Sequence, residues 1–228
     1  VTLGYSQRIY DIIDVGRCRL DGIDVTRRLT GGRAVYHHDE IAYTVIASTE
    51  NPIVGGSIMD TYLAISEVFL EGFRRADVPA VMDAGTKKCR DLVRHRRGLP
   101  CFLSTTRYEI TLHGCKLVGS AQLRRDGFFI QQVSIIFGPG HEKLAAYVND
   151  PGVADIYSRT LRQNMIDLVR ETNGKLSRDM LKTILFDTFR DAVAGTCEYS
   201  EPTALEYQEM LKLRDNKYSS KGWIDTHG

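Results

Sequence analysis

Apolar and polar residues alternate around one central stretch. Tyr108, Ile110 and Leu112 alternate with Arg107, Glu109, Thr111 and His113, the period of a half-buried strand. His113-Gly114 reads as a reversal, and Lys116 to Gln122 as a returning strand rich in small residues. Ile41 to Ser48 is β-branched and aromatic and predicts a buried strand. Asp126-Gly127 is a strong two-residue turn signal, followed by a strand over Phe128 to Phe137 that Gly138-Pro139-Gly140 ends. Shorter strands are expected at the very start, over Arg33 to His37 and over Val78 to Val81.

Helical spacing is clearest at Ile58, Tyr62, Ile65, Phe69 and Phe73, opened by Ser57 with Asp60 three positions on and running to about Arg75. A short helix is expected around Ser6 to Val15. Further helices are predicted at about 141–148, 152–171, 177–193 (Ser177 as N-cap, Gly195 just past the end) and 203–215. The pattern describes an α+β protein: a mixed β-sheet with packed helices over 1–140, and a mainly helical part over 141–228.

Composition narrows the class only a little. The 228 residues are 43% hydrophobic and 26% charged, an ordinary globular balance. A formal net charge of +1 leaves no electrostatic footprint for nucleic acid or a membrane surface. No apolar run approaches the ~18 residues of a membrane span, and no signal peptide opens the chain. Five cysteines, at 18, 89, 101, 115 and 197, form no CxxC pair and no zinc-like spacing, which suits a reducing, cytoplasmic setting. Asp83 to Gly98 is strongly basic, with Lys87, Lys88, Arg90, Arg94, Arg96 and Arg97. It reads first as a solvated loop and second as a docking patch for an acidic carrier protein.

Three groups of residues could carry chemistry. Cys101 precedes the central strand, and Lys116 lies near the hairpin tip. A thiol beside an ammonium suits nucleophilic cysteine chemistry, because the cation favours the thiolate. Spacing alone does not bring them together, and a buried, inert cysteine is the plainer reading. Gly31-Gly32, flanked by Arg27, Arg28 and Arg33, is either a turn with surface arginines or a close-approach site for an anionic or acyl ligand. His37-His38-Asp39-Glu40 resembles a metal cluster at first sight. Adjacent histidines on a strand point to opposite faces, so no metal is expected. No GxxxxGK[ST] or GxGxxG motif is present.

The segments Arg27 to His37 (RRLTGGRAVYH), Cys101-Phe102, Tyr108-Glu109-Ile110 and Lys116 to Gln122 (KLVGSAQ) resemble, in order, the biotin/lipoate A/B protein ligase family. The likeness extends over most of the chain, to Lys217-Tyr218 and Trp223, and is greatest to the family's cysteine-dependent octanoyltransferase branch. It implies one catalytic domain over 1–228 of the biotin/lipoate ligase type. Relatives carry a further strand and helix before Val1, so the chain is expected to lack its start. It implies Cys101 as nucleophile, with Lys116 lowering its pKa and contacting the acyl carbonyl. The implied acyl pocket comprises Arg28, Gly31, Gly32, Val35, Tyr36 and His37, with Gly119, Ser120, Ala121 and Gln122. The implied donor is octanoyl-acyl carrier protein, the acceptor a lipoyl domain such as glycine cleavage H protein, with no cofactor. An ATP-dependent lipoate–protein ligase, an octanoyl amidotransferase and a non-catalytic carrier-binding protein remain alternatives. Gln131-Gln132-Val133-Ser134 departs from the family's usual Gln-His-Gly-Ser, which puts acyl length in question.

Overall fold

The computed structural model describes residues 1–83, 109–193 and 197–226. In chain order these form β1 (Thr2–Leu3), α1 (Ile9–Ile12), α2 (Val15–Leu20), β2 (Thr26–Arg27), β3 (Glu40–Ser48), α3 (Ile58–Arg75) and β4 (Val81–Asp83). Then come β5 (Glu109–Leu112), β6 (Cys115–Lys116), β7 (Val118–Arg125), β8 (Phe128–Ile136) and a 3-10 helix (His141–Tyr147). The chain continues through α4 (Pro151–Asn164), α5 (Leu168–Glu171), α6 (Arg178–Ala192), α7 (Ala204–Leu213), a π turn (Arg214–Tyr218) and α8 (Lys221–Ile224).

Three small sheets organise them. β3, β8 and β7 are antiparallel with β8 central, β4, β5 and β6 are antiparallel with β5 central, and β1 pairs in parallel with β2. Both tight hairpins follow their sequence signals. Asp126 and Gly127 have φ of 52° and 79°, and His113 and Gly114 have 52° and 75°. Such turns match the twist of the strands they join. α3 opens with the expected capping box: Ser57 Oγ accepts from the Asp60 N–H at 3.2 Å, and Asp60 Oδ2 from the Ser57 N–H at 2.9 Å. Ile65, Phe69 and Phe73 bury one face of α3 in a core shared with β5, β7, β8 and α6. Ile58, by contrast, is 64% exposed. A second core joins Leu3, α1, Tyr36, the 3-10 helix and α4.

Several elements differ from their sequence expectation. Residues 33–37 form no strand; Val35 makes a single bridge to Thr2. β3 is only half-buried, because it lies at a sheet edge and Ala42, Thr44 and Ile46 face outward. β5 is buried on both faces, Glu109 and Thr111 included. The returning strand divides at Leu117, so Cys115–Lys116 pair with β5 and Val118–Arg125 with β8. Val78 to Ala80 precede β4 rather than belonging to it. The first helix is two, separated by Ile13 and capped anew by Asp14. The helix expected over 152–171 breaks at Met165–Asp167, where Met165 bridges Lys116 and Asp167 caps α5. α6 starts at Ser177 as expected; Gly195 lies outside the described residues. α8 carried no clear sequence signal.

Arg27 is fully buried. It is no ligand-binding arginine, since its guanidinium donates to five backbone carbonyls. Nη1 reaches Gly4, Tyr5 and Gln7 at 2.7–3.0 Å, and Nη2 reaches Ile224 at 2.7 Å. Nε is shared between Trp223 and Ile224 at 3.3 and 3.2 Å. Trp223 Nε1 answers by donating to the Arg27 carbonyl at 2.9 Å. Burial lowers the Arg27 pKa, but an arginine starts high enough to remain charged. Replacing Arg27 with Met leaves these carbonyls without a donor and should cost about 3–5 kcal/mol in urea unfolding. Trp223 is the sole tryptophan, so its emission should shift red in Arg27→Met at lower urea than the circular dichroism transition. Coincident transitions at the parent midpoint would contradict this role.

Candidate active site

Strand register builds the floor of a cavity. Across the sheet, Ala42, Ser134 and Gly119 share one row, and Thr44, Gln132 and Ala121 the next. Alternation puts both rows on the same face. Gly119 and Ala121 are small, which leaves room above them. Thr2, Arg28, Val35, His37 and Glu40 rise at one side and Lys116 at another, enclosing about 180 Å³.

Lys116 is 7% exposed, and its ammonium donates to Glu109 Oε1 at 2.8 Å. The break at Leu117 explains this position. β6 holds Lys116 opposite Thr111 in one sheet, while β7, two residues later, supplies the cavity floor in another. Glu109 is also the Cα partner of Asp83. β4 therefore ends, and β5 begins, at the pair that carries Glu109.

A second polar chain lines the same cavity. His37 Nδ1 meets Glu40 Oε1 at 2.6 Å, and His37 Nε2 meets Thr2 Oγ1 at 2.6 Å. Ser134 Oγ donates to Glu40 Oε2 at 2.6 Å. Burial alone would raise the Glu40 pKa, but the contacts from His37 and Ser134 outweigh it and hold the carboxyl below its ordinary value. On a straight strand, side chains three apart point to opposite faces. Here Asp39 has a φ of 43°, and that turn lets His37 reach Glu40. Asp39 itself binds Arg178, and its carbonyl accepts from Phe137 and Gly138 at 3.1 and 2.8 Å.

Of the residues singled out from sequence, Arg28, Val35, His37, Lys116, Gly119, Ser120 and Ala121 border the cavity. Four do not. Gly32 is favoured instead by its backbone, with a φ of 94°, and its carbonyl oxygen packs so closely on Gly4 that an added Cβ at position 4 would run into it. Gly31 lies beside it, exposed on the outer side of the turn. Tyr36 stacks on Tyr147 in the second core, with ring centroids 5.9 Å apart. Gln122 alternates away from the floor and binds Gln131 at 2.9 Å. Cys101, with most of the basic run, lies outside the described residues. The Arg28 guanidinium is occupied by the Thr2, Gly31 and Arg33 carbonyls. Sequence reading gave no role to Thr2 and Thr44, weighed Glu40 only in a rejected metal cluster, and noted Gln132 and Ser134 only within the stretch that bears on acyl length. Their place in the floor could have been read from the Asp126-Gly127 turn, which sets the β7/β8 register. Val133, the departure noted above, borders the cavity and is also packed in the main core.

The architecture is that of the lipoate–protein ligases. A bipartite lipoate protein ligase from Thermoplasma acidophilum superposes with a TM-score of 0.78 at 19% identity, over 100% of this chain and 80% of that one. Lipoate-protein ligase A bound with ATP gives 0.77 at 20% identity, over 100% and 82%. The family model for the lipoyl protein ligase A/B catalytic domain matches residues 1–190, and the chain belongs to that family. Among curated relatives, the octanoyltransferase LipM of Carboxydothermus hydrogenoformans is 35% identical, covering 98% of this chain and 82% of the relative. The LipM of Clostridioides difficile is 28% identical over 97% and 83%.

Breaking a buried ion pair by removing one partner strands the other charge. Glu109→Gln should therefore destabilise the protein by about 3 kcal/mol in urea unfolding, whereas Glu109→Gln with Lys116→Met should recover most of that. Additive losses in the double variant would refute the pairing.

Proposed function

We propose that this protein is an acyltransferase that moves an octanoyl group from octanoyl-acyl carrier protein to a lysine of a lipoyl domain, such as glycine cleavage H protein. The route is a thioester on Cys101. The octanoyltransferase relatives support the chemistry. The T. acidophilum ligase, whose system pairs it with an E2 lipoyl domain, supports that acceptor class.

The observation that carries the reading is Lys116. It is a buried ammonium bordering a cavity, in the sheet whose strand β5 begins at Glu109. Cys101 lies eight residues before Glu109 in the chain, a tether that reaches at most about 29 Å. In this reading the Lys116 charge favours the Cys101 thiolate and polarises the thioester oxygen. The sulfur attacks, the carrier thiol leaves, and the octanoyl chain rests over Gly119 to Ala121 against Arg28, Val35 and His37. The acceptor amine then takes the acyl group. In this reading neither metal nor nucleotide takes part, and a thiol that must stay reduced suits a cytoplasmic setting.

Incubation with octanoyl-acyl carrier protein without ATP should add one octanoyl mass to the parent, removable by hydroxylamine, and none to Cys101→Ala. An unmodified parent that instead lipoylates its acceptor only with lipoate and ATP would replace this reading with the ligase one.

A further inference from the structure

We propose that Thr2, His37 and Glu40 form a proton relay that activates the acceptor amine in the second half of the transfer, with Thr2 touching the amine and His37 and Glu40 acting through it. The inference rests on the thioester reading above. A lysine amine attacking a thioester must shed a proton as the C–N bond forms, and Lys116 is itself a cation. Three side chains on the cavity wall are arranged to accept that proton. The relay uses the tautomer in which His37 Nδ1 carries its hydrogen toward the Glu40 carboxylate and Nε2 accepts from the Thr2 hydroxyl. This hydroxyl–imidazole–carboxylate order is what orients a base in acyl-transfer sites.

The supports are fixed from outside the cavity. Thr2 exchanges two backbone hydrogen bonds with Val35, each 2.9 Å. Ser134 holds the second Glu40 oxygen at 2.6 Å. Arg28 Nη1 lies 3.4 Å from Thr2 Oγ1, near enough to favour a hydroxyl that is giving up its proton. The other titratable groups facing the relay are Lys116 on the cavity wall and His141, which acts on Glu40.

The step balances. The amine nitrogen bonds to the acyl carbon and the carbon–sulfur bond breaks. The nitrogen's proton goes to Thr2 Oγ1 as the hydroxyl proton moves to His37 Nε2. The imidazolium, paired with Glu40, returns it to the departing thiolate, giving amide and free thiol.

The test is discharge of the preformed octanoyl-enzyme by two nucleophiles. Both nucleophiles shed a proton as they bond to the acyl carbon, but the hydroxylamine adduct is far less basic and gives it up to water readily, so lysine discharge leans much more on the base. His37→Gln and Thr2→Val should slow lysine discharge about a hundredfold, with a much smaller effect on hydroxylamine. Thr2→Ser should restore lysine discharge, and added imidazole should rescue His37→Ala. Equal losses for both nucleophiles, without rescue, would make the cluster a structural brace and overturn the relay. Unchanged lysine discharge would also overturn it. An acyl-enzyme that never forms on the parent would sink the thioester reading, and the relay with it.

Discussion

Arg27 carries a full positive charge at 0% exposure, and the structure tolerates it because all the acceptors it needs are main-chain carbonyls. Those carbonyls come from residues 4–7 and 223–224, so one side chain ties the segment after β1 to α8. β1 in turn places Thr2 against Val35 and the cavity wall. Trp223, between the rings of Tyr5 and Tyr218 and beneath the Lys217 ammonium at 4.4 Å, closes the outer side. The wall of the site thus depends on a charge more than on apolar area. An uncompensated buried guanidinium is prohibitive, so the two segments must come together.

The cavity itself comes from a single strand divided between two sheets. Had β7 run unbroken from Lys116, alternation would have put the ammonium on the face opposite Gly119 and Ala121. The break at Leu117 frees Lys116 to be buried beside Glu109 while Gly119 and Ala121 face the space above the sheet. Leu117 remains tied to both sheets, its N–H to Ile110 at 3.2 Å and its carbonyl to Ile136 at 3.0 Å. Charge and acyl space are thereby held in fixed relation without sharing a strand.

Local signals were legible where one residue pair dictates the backbone. Asp126-Gly127, His113-Gly114 and the Ser57–Asp60 box each produced the turn or cap they announce. Family resemblance pointed to part of the cavity lining, Arg28, Val35 and His37 with Gly119 to Ala121, which composition alone would have left as surface. What stayed hidden depends on long-range geometry. Glu109 and Thr111 read as the wet face of a strand, yet Glu109 is buried because its partner is Lys116. Gly31-Gly32 read as a ligand's approach, and the group that approaches is Gly4. The left-handed turn at Asp39, on which the His37–Glu40 contact depends, leaves no trace in hydrophobic periodicity.

The Arg27 clamp has a consequence for how the family can vary. Every acceptor is a peptide oxygen, so Gly4, Tyr5, Gln7, Trp223 and Ile224 contribute through atoms that all amino acids share. Their side chains can drift as far as packing permits while the clamp stays intact. Pairwise covariation across related sequences would therefore register little between position 27 and its partners, although they hold the two segments together. A coupling whose acceptors are all main-chain oxygens is largely silent to any method that reads side-chain identity.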